Sequence, residues 1–115
     1  MPRDPLYELC GVYAIICTGD GSIYIGATGS SFATRWSHHR RDQRGYQHDS
    51  GGNRLLRAAS AQHGAESFHF IILELVPCHK HLRYLRQRER YWYRWFRKHW
   101  GKNRMLNVDR ISLLH

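Results

Sequence analysis

The stretch from Gly11 to Gly26 constrains the fold of this chain more than any other. It consists of two runs rich in β-branched and aromatic residues on either side of a polar turn that contains Asp20-Gly21. An Asp-Gly pair between two such runs is typical of a β-hairpin. The stretch therefore predicts two antiparallel strands.

The alternation of side chains along these strands predicts which residues share a face. With the turn centred on Asp20-Gly21, Tyr13 and Tyr24 point together from one face of the hairpin. The opposite face is wholly apolar and consists of Val12, Ala14, Ile16, Ile23 and Ile25. Most strand tyrosines are ordinary half-buried aromatics, so the hairpin alone assigns no function to this pair.

The charge of the chain narrows the classes of partner. Its 115 residues include 18 Lys and Arg against 9 Asp and Glu, a formal net charge of +9. Such an excess favours a polyanionic partner, with nucleic acid ahead of an anionic membrane surface. The length and the hydrophobic content of 42% predict that residues 1–115 form one domain, with its core at about 10–108.

The cysteines and the absence of long apolar segments favour a cytoplasmic protein. No stretch resembles a signal peptide or a membrane span. Cys10, Cys17 and Cys78 are odd in number and lack zinc-knuckle spacing, which predicts reduced cysteines that pack as small hydrophobes. The run from Cys78 to His81 hints at a metal, but it has no matching second half, so zinc is not expected there.

Helix and strand signals continue along the chain. A first helix at about 32–44 is capped by serines, and a second short helix is capped by Asn53 and stopped by Gly64. An apolar strand at 67–76 needs a cover on both faces, and its natural place is beside the hairpin. The longest helix is predicted at about 80–100.

The long helix carries an acid among apolar positions. Glu89 lies four residues after Leu85 and four before Tyr93, so its carboxylate faces the core side of the helix. An unpaired charge there is costly, and an arginine partner, a raised pKa or a divalent cation would compensate for it. The residues leave these three explanations open. The full apolar stripe is Leu82, Leu85, Trp92, Tyr93, Phe96 and Trp100.

A second stripe on the same helix is basic, and we call it the arginine ridge. It lies roughly 100° round the helix from the apolar stripe. Its members are Arg83, Arg86, Arg90, Arg94 and Arg97. A row of guanidinium groups suits the phosphates of a nucleic acid. A basic amphipathic helix lying on a membrane is the competing interpretation.

Two smaller features complete the candidate positions. Arg35 and His39 are four residues apart on the first predicted helix and therefore share a face, within a basic run that is otherwise typical of a solvated surface. A short extended segment at 105–108, which contains Asn107, closes the predicted domain.

The two tripeptides at 11–13 (Gly-Val-Tyr) and 24–26 (Tyr-Ile-Gly) resemble the signatures of the GIY-YIG nuclease family, with valine in place of one isoleucine. The resemblance covers nearly the whole chain and continues in the family's order through Arg35, His39, Asn53, Glu89 and Asn107. It implies an α+β fold, a three-stranded antiparallel sheet flanked by helices.

The resemblance also implies hydrolysis of DNA phosphodiester bonds by an endonuclease that depends on Mg²⁺, with Mn²⁺ as an alternative. Glu89 would hold the single metal ion. Tyr13 would activate the attacking water, with His39 as a proton acceptor, and which of the two is the base stays open. Tyr24 would position the water or the phosphate, and Arg35 would counter the charge on the phosphorane.

We expect DNA as the partner, bound through the arginine ridge and Asn107, with no small-molecule cofactor. The small size of the chain predicts loose sequence preference or recognition of DNA structure, unless a dimer or a guiding partner protein contributes. An inactive basic nucleic-acid-binding module on the same fold is the alternative. Attachment to a membrane is disfavoured, because the tryptophans of the long helix are needed to cover the sheet.

Overall fold

A computed structural model describes residues 5–43 and 54–107 of the chain. The three strands are β1 (Gly11–Cys17), β2 (Ile23–Thr28) and β3 (Phe68–Leu75), and the three α-helices are α1 (Phe32–Gln43), α2 (Arg54–His63) and α3 (Leu82–His99). Short 3₁₀ turns occupy Pro5–Glu8, Ala65–Ser67 and Lys102–Arg104. None of the described helices is long and apolar enough to cross a membrane.

The strands form one antiparallel sheet in the order β2-β1-β3, so β1 is central. Tyr13 pairs with Gly26, and Ile15 pairs with Tyr24. This register has the predicted parity, although the turn is centred one residue earlier than predicted, between Gly19 and Asp20. The third strand lies beside the hairpin as predicted, on the free edge of β1.

Both faces of the sheet are covered. On one face α3 packs on the predicted apolar side of the hairpin, and the buried cluster is Val12, Ala14, Ile23, Ile25, Val76, Leu85 and Phe96. On the other face α1 and α2 pack on the sheet, and the buried cluster is Tyr13, Ile15, Cys17, Phe32, Leu56, Ala59 and Phe68. The predicted fold class, a three-stranded antiparallel sheet flanked by helices, is confirmed.

The ends of the helices follow from local chemistry. The Ser31 side chain accepts a hydrogen bond from the Thr34 amide at 3.1 Å, which caps α1 as predicted. Gly64, with φ of 86°, follows the last residue of α2, and a side chain there would be strained. The predicted cap at Asn53 lies outside the described residues. Of the predicted apolar stripe on α3, Leu82 is 54% exposed, so burial begins only at Leu85.

Cys10 and Cys78 form a disulfide bond with their Cα atoms 5.3 Å apart. The prediction of three reduced cysteines is therefore wrong for this pair and holds for Cys17, which is a buried free thiol. The two bonded residues are 68 positions apart, and they meet where β1 begins and where the chain leaves β3. Spacing along the sequence does not reveal such a contact.

An ion pair joins β3 to α3. The Nε of Arg88 donates to both carboxylate oxygens of Glu74, at 2.9 and 3.0 Å, and the indole nitrogen of Trp92 donates to the same group at 2.8 Å. Three hydrogen bonds of this kind compensate for the partial burial of the carboxylate. Glu74 is thus a paired acid on the α3 side of the sheet.

Candidate active site

Tyr13 lies at the centre of a buried cluster of rings on the α1 face of the sheet. It is 1% exposed, and its hydroxyl lies 2.7 Å from Nε2 of His39 on α1. Its ring stacks on Phe70 with centroids 4.7 Å apart and meets Phe32 edge-on. Packing on both sides therefore fixes the direction of the hydroxyl.

The glycine of the second tripeptide makes room for the tyrosine of the first. Gly26 lies directly opposite Tyr13 in the strand pair. A Cβ atom on Gly26 would collide with the Tyr13 hydroxyl and ring. The two sequence signatures are thus parts of one steric arrangement, in which the missing side chain of one strand is replaced by the ring from the other.

The other predicted polar residues of the hairpin and α1 lie around this hydroxyl. The ring of Tyr24 is 5.2 Å from that of His39 and 6.4 Å from that of Tyr13. Arg35 acts electrostatically on both Tyr13 and His39. The structure therefore brings Tyr13, Tyr24, Arg35 and His39 together.

Burial decides the protonation of the central pair. It raises the pKa of the Tyr13 hydroxyl well above its usual 10, with further increases from Tyr24 and Glu89 and an opposing effect of Arg35. It also lowers the pKa of His39 to about 3, assisted by the positive charge of Arg35. Near neutral pH the pair therefore consists of a protonated phenol and a neutral imidazole.

Two buried polar atoms at this site have no hydrogen-bond partner among the described residues. They are Nε of Arg35 and Nδ1 of His39. Buried polar atoms are nearly always paired in folded proteins, so these two atoms indicate places for water or a ligand. A phosphate oxygen is the natural acceptor for the guanidinium nitrogen.

Glu89 comes to the site from α3, and its side chain is half-buried. Its charge raises the pKa of Tyr13, so the carboxylate lies within electrostatic reach of the hydroxyl. A carboxylate within electrostatic reach of the Tyr13 hydroxyl offers oxygen ligands, which suit Mg²⁺, an ion that keeps several waters and needs few protein ligands. The carboxylate at this position therefore fits the Mg²⁺ that the family resemblance implies.

The arginine ridge lies on the outside of α3. Arg83, Arg86 and Arg94 are exposed, whereas Arg90 and Arg97 are half-buried. Beside them runs a shallow groove of about 380 Å³ that also contains the exposed rings of Tyr91 and Trp95. No motif marks these two aromatics in the sequence, although their four-residue spacing places them on one helix face.

Asn107 lies at the free edge of β2. Its side-chain oxygen accepts from the Ile25 amide at 3.0 Å, and its nitrogen donates to the Ile25 carbonyl at 2.7 Å. The side chain thus imitates a neighbouring strand and holds the last described segment against the sheet. This contact gives the asparagine a structural role, and its predicted contact with nucleic acid stays a prediction.

A family model described as the GIY-YIG catalytic domain matches residues 9–103. The solved catalytic domain of homing endonuclease I-TevI is 24% identical, with a TM-score of 0.69, over 87% of this chain and 98% of that chain. A mutant of the catalytic domain of intron endonuclease I-TevI gives 23% identity and the same TM-score, over 88% and 94% of the two chains. At these identities the structural likeness concerns the fold. No curated protein matches the chain.

Proposed function

This chain belongs to the GIY-YIG family of catalytic domains and is a nuclease, and we propose that it is a DNA endonuclease in which Glu89 holds Mg²⁺ beside the Tyr13–His39 pair. The observation that carries the proposal is the buried hydrogen bond of 2.7 Å between these two side chains. A phenol held against a neutral imidazole, in a cluster that also contains an arginine and a carboxylate, has the parts of a hydrolytic site.

The attacking water would lose its proton to the Tyr13–His39 pair rather than to either residue alone. The raised pKa of Tyr13 keeps it protonated near neutral pH, so the phenol accepts a proton from water only as it passes its own proton to Nε2 of His39. A pKa of about 3 makes His39 a weak acceptor in the free protein. The negative charge of a bound phosphate would raise that pKa by offsetting the charge of Arg35.

Arg35 would bind the phosphate that reacts. Its buried Nε has no partner among the described residues, and its charge already acts on both members of the pair. A guanidinium at this place favours the extra negative charge of the pentacovalent phosphorane over the charge of the ground state. Tyr24, whose ring lies beside that of His39, would orient the water or the phosphate.

Glu89 would contribute a carboxylate oxygen to the metal, with waters filling the other positions. Magnesium bound there supplies Lewis-acid polarisation of the phosphate and stabilises the leaving oxygen. The arginine ridge on α3 would contact the phosphates that flank the cut, which contributes affinity without reading sequence. DNA is the proposed substrate because the chain is strongly basic and because its structural relatives are endonucleases by title.

The test uses Glu89→Gln, which keeps the shape of the side chain and removes its charge. We expect plasmid cleavage with Mg²⁺ to fall by orders of magnitude, while DNA binding without divalent metal persists or tightens. Glu66→Gln, at an exposed acid on the turn after α2, is the matched control and should cleave at the parental rate.

Melting temperature is measured on the same variants. If Glu89 served as half of a buried ion pair, its replacement would leave a charge unpaired and lower the melting temperature markedly. A folded Glu89→Gln protein that cuts at the parental rate would refute the metal-ligand assignment. A parent protein that binds DNA and never cuts it with Mg²⁺ or Mn²⁺ would favour the non-catalytic binding module.

A further inference from the structure

Away from the candidate active site, three side chains of metal-ligand type converge at the hairpin turn. The Sγ of Cys17, a carboxylate oxygen of Asp20 and a ring nitrogen of His63 all lie within 4.8 Å of one another. Cys17 is the last residue of β1, Asp20 is in the turn and His63 ends α2. The cluster therefore joins elements that are far apart in the sequence.

The carboxylate of this cluster is held in place from one side. The backbone amide and the hydroxyl of Ser22 donate to Oδ1 of Asp20 at 2.9 and 2.6 Å. The other oxygen, Oδ2, is directed to Nε2 of His63 at 3.2 Å. A ligand carboxylate whose second oxygen is fixed by hydrogen bonds is the usual arrangement at a protein metal site.

The imidazole is also positioned by its surroundings. A Cβ atom on Gly19 would overlap the ring of His63, so the chain leaves that space for the imidazole. The Ser67 hydroxyl donates to the His63 carbonyl at 2.8 Å, and the Ser67 carbonyl accepts from the Thr18 amide at 2.8 Å. These bonds connect the end of α2 to the turn, so the ligand-bearing segments are fixed relative to each other.

We propose that Cys17, Asp20 and His63 bind a zinc ion, with water as the fourth ligand. Zinc prefers thiolate, imidazole and carboxylate in a tetrahedron, with bonds of about 2.0 to 2.3 Å. Such bonds place the ligand atoms roughly 3 to 4 Å apart, so the observed cluster needs only small side-chain movements. Binding exchanges the thiol proton of Cys17 for the metal, and the proton leaves to solvent.

The chemistry of these ligands separates this site from the catalytic one. A thiolate and an imidazole are poor ligands for Mg²⁺, which prefers oxygen, whereas they select zinc among common cellular metals. Cys17 is four residues from Tyr13 along the same face of β1, a separation of about 13 Å. The Asp20 side chain is 45% exposed, which gives the ion a path from solvent.

The zinc ion would have a structural role. It would tie the β1–β2 turn to the C-terminal end of α2 and so stabilise the layer that presents His39 to Tyr13. Because binding requires the three segments to be assembled, zinc would favour the folded state over the unfolded one. The inference does not depend on nuclease activity, so it can fail while the proposed function stands.

The test measures zinc content and zinc-dependent melting in the full chain, purified without chelators or thiol reductants. We expect one zinc per chain, a higher melting temperature of the metal-free protein on addition of zinc, and no comparable rise with Mg²⁺. Replacement of zinc by Co²⁺ should give a sulfur-to-cobalt charge-transfer band, which a Cys17→Ala variant would lack.

Asp20→Asn and His63→Gln should abolish the zinc-induced rise in melting temperature. His69→Gln, at an exposed histidine on β3, should retain it. Each shift is compared with the same variant free of metal, so a loss of basal stability does not affect the result. A parent protein without a zinc-induced shift, or a full shift in both cluster variants, would overturn the proposal. The cluster would then be only a turn held by hydrogen bonds.

Discussion

Single residues decide the geometry of this site, and Gly26 is the simplest example. The glycine is buried opposite Tyr13, and any side chain there would occupy the space of the tyrosine hydroxyl. The hydroxyl has little freedom to yield, because Phe70 and His39 confine the ring and its oxygen. A substitution at Gly26 therefore tests whether the packing of Tyr13 stabilises the folded protein.

We expect Gly26→Ala to lower the free energy of unfolding by about 1 to 3 kcal/mol, the usual cost of overpacking a core. Denaturant unfolding followed by circular dichroism measures this change. Gly29→Ala is the matched control, because its added Cβ would have Leu85 as nearest neighbour at 3.9 Å, an ordinary contact. Equal stability of the two variants would contradict the steric explanation of the tripeptides.

The protonation of His39 makes a second prediction at the same scale. Its pKa is about 3 in the folded protein, whereas an exposed histidine titrates near 6.5. As the pH falls below 6.5 the unfolded chain gains a proton at this residue that the folded protein does not, so stability is lost on acidification down to about pH 3.

Between pH 7.5 and 5.5 this loss should be about 1 kcal/mol for His39 alone. Urea unfolding at several pH values measures it, and His39→Gln should flatten the pH dependence in this window. The turn residue Asp20, with a pKa of about 2, loses its favourable interactions only below about pH 4 and so does not interfere. An unchanged slope in the variant would show that His39 titrates alike in the folded and unfolded protein.

The site residues that could be predicted from the sequence are those whose neighbours are set by local periodicity. Strand alternation placed Tyr13 and Tyr24 on one face of the hairpin. Helical spacing placed Arg35 and His39 on one face of α1. The contact of Asn107 with Ile25 spans 82 positions and depends on tertiary packing, so no local pattern indicates it.

At the scale of elements, α3 presents different chemistry on different faces. One face packs on the sheet through Leu85 and Phe96, and the arginine ridge lies roughly a quarter turn away. The helix runs from Leu82 to His99, within two residues of the predicted bounds, because His81 caps its first turn and Gly101, with φ of 126°, follows its C-cap. The helix therefore presents a core-packing face and a basic face.

If the arginine ridge binds DNA, Arg86→Ala and Arg94→Ala should each weaken affinity for all sequences about equally. Each should also reduce the slope of log affinity against log salt by about 1. Fluorescence anisotropy with several duplexes, without divalent metal, measures both quantities. Lys102→Ala removes the same charge from the turn after α3 and serves as the control.

A loss confined to one duplex would mean that the ridge reads bases, and unchanged binding would make it a solvated face.

The hairpin turn shows where prediction at this scale is limited. The Asp-Gly pair correctly indicated a turn, but the hydrogen bond from the Cys17 amide to the Ser22 carbonyl fixes its centre one residue earlier. Alternation depends only on parity, so the error left the assignment of faces intact.

At the scale of the whole molecule, the disulfide between Cys10 and Cys78 is a contact that no pattern in the sequence predicted. The odd number of cysteines and their lack of zinc-knuckle spacing predicted reduced thiols, which suit a reducing compartment such as the cytoplasm. The structure instead brings together, at one end of the sheet, two cysteines that are 68 positions apart in the sequence. Disulfides are typical of oxidising compartments, so this bond and the predicted cytoplasmic location disagree.

The disulfide closes a loop that contains most of the catalytic domain, so its loss should affect the stability of the whole chain. A cross-link over a loop of this length stabilises by about 4 kcal/mol in the chain-entropy model, because it restricts the unfolded state. We therefore expect reduction, or the double replacement Cys10→Ser with Cys78→Ser, to lower the melting temperature markedly.

Thiol titration of the denatured oxidised protein should find only Cys17, and titration after reduction should find all three cysteines. The double variant is also the control for the reductant, which should not change its melting temperature. Titration of three thiols in protein trapped by acid directly from cells would show that the bond is open in its native compartment, and the cytoplasmic prediction would then stand.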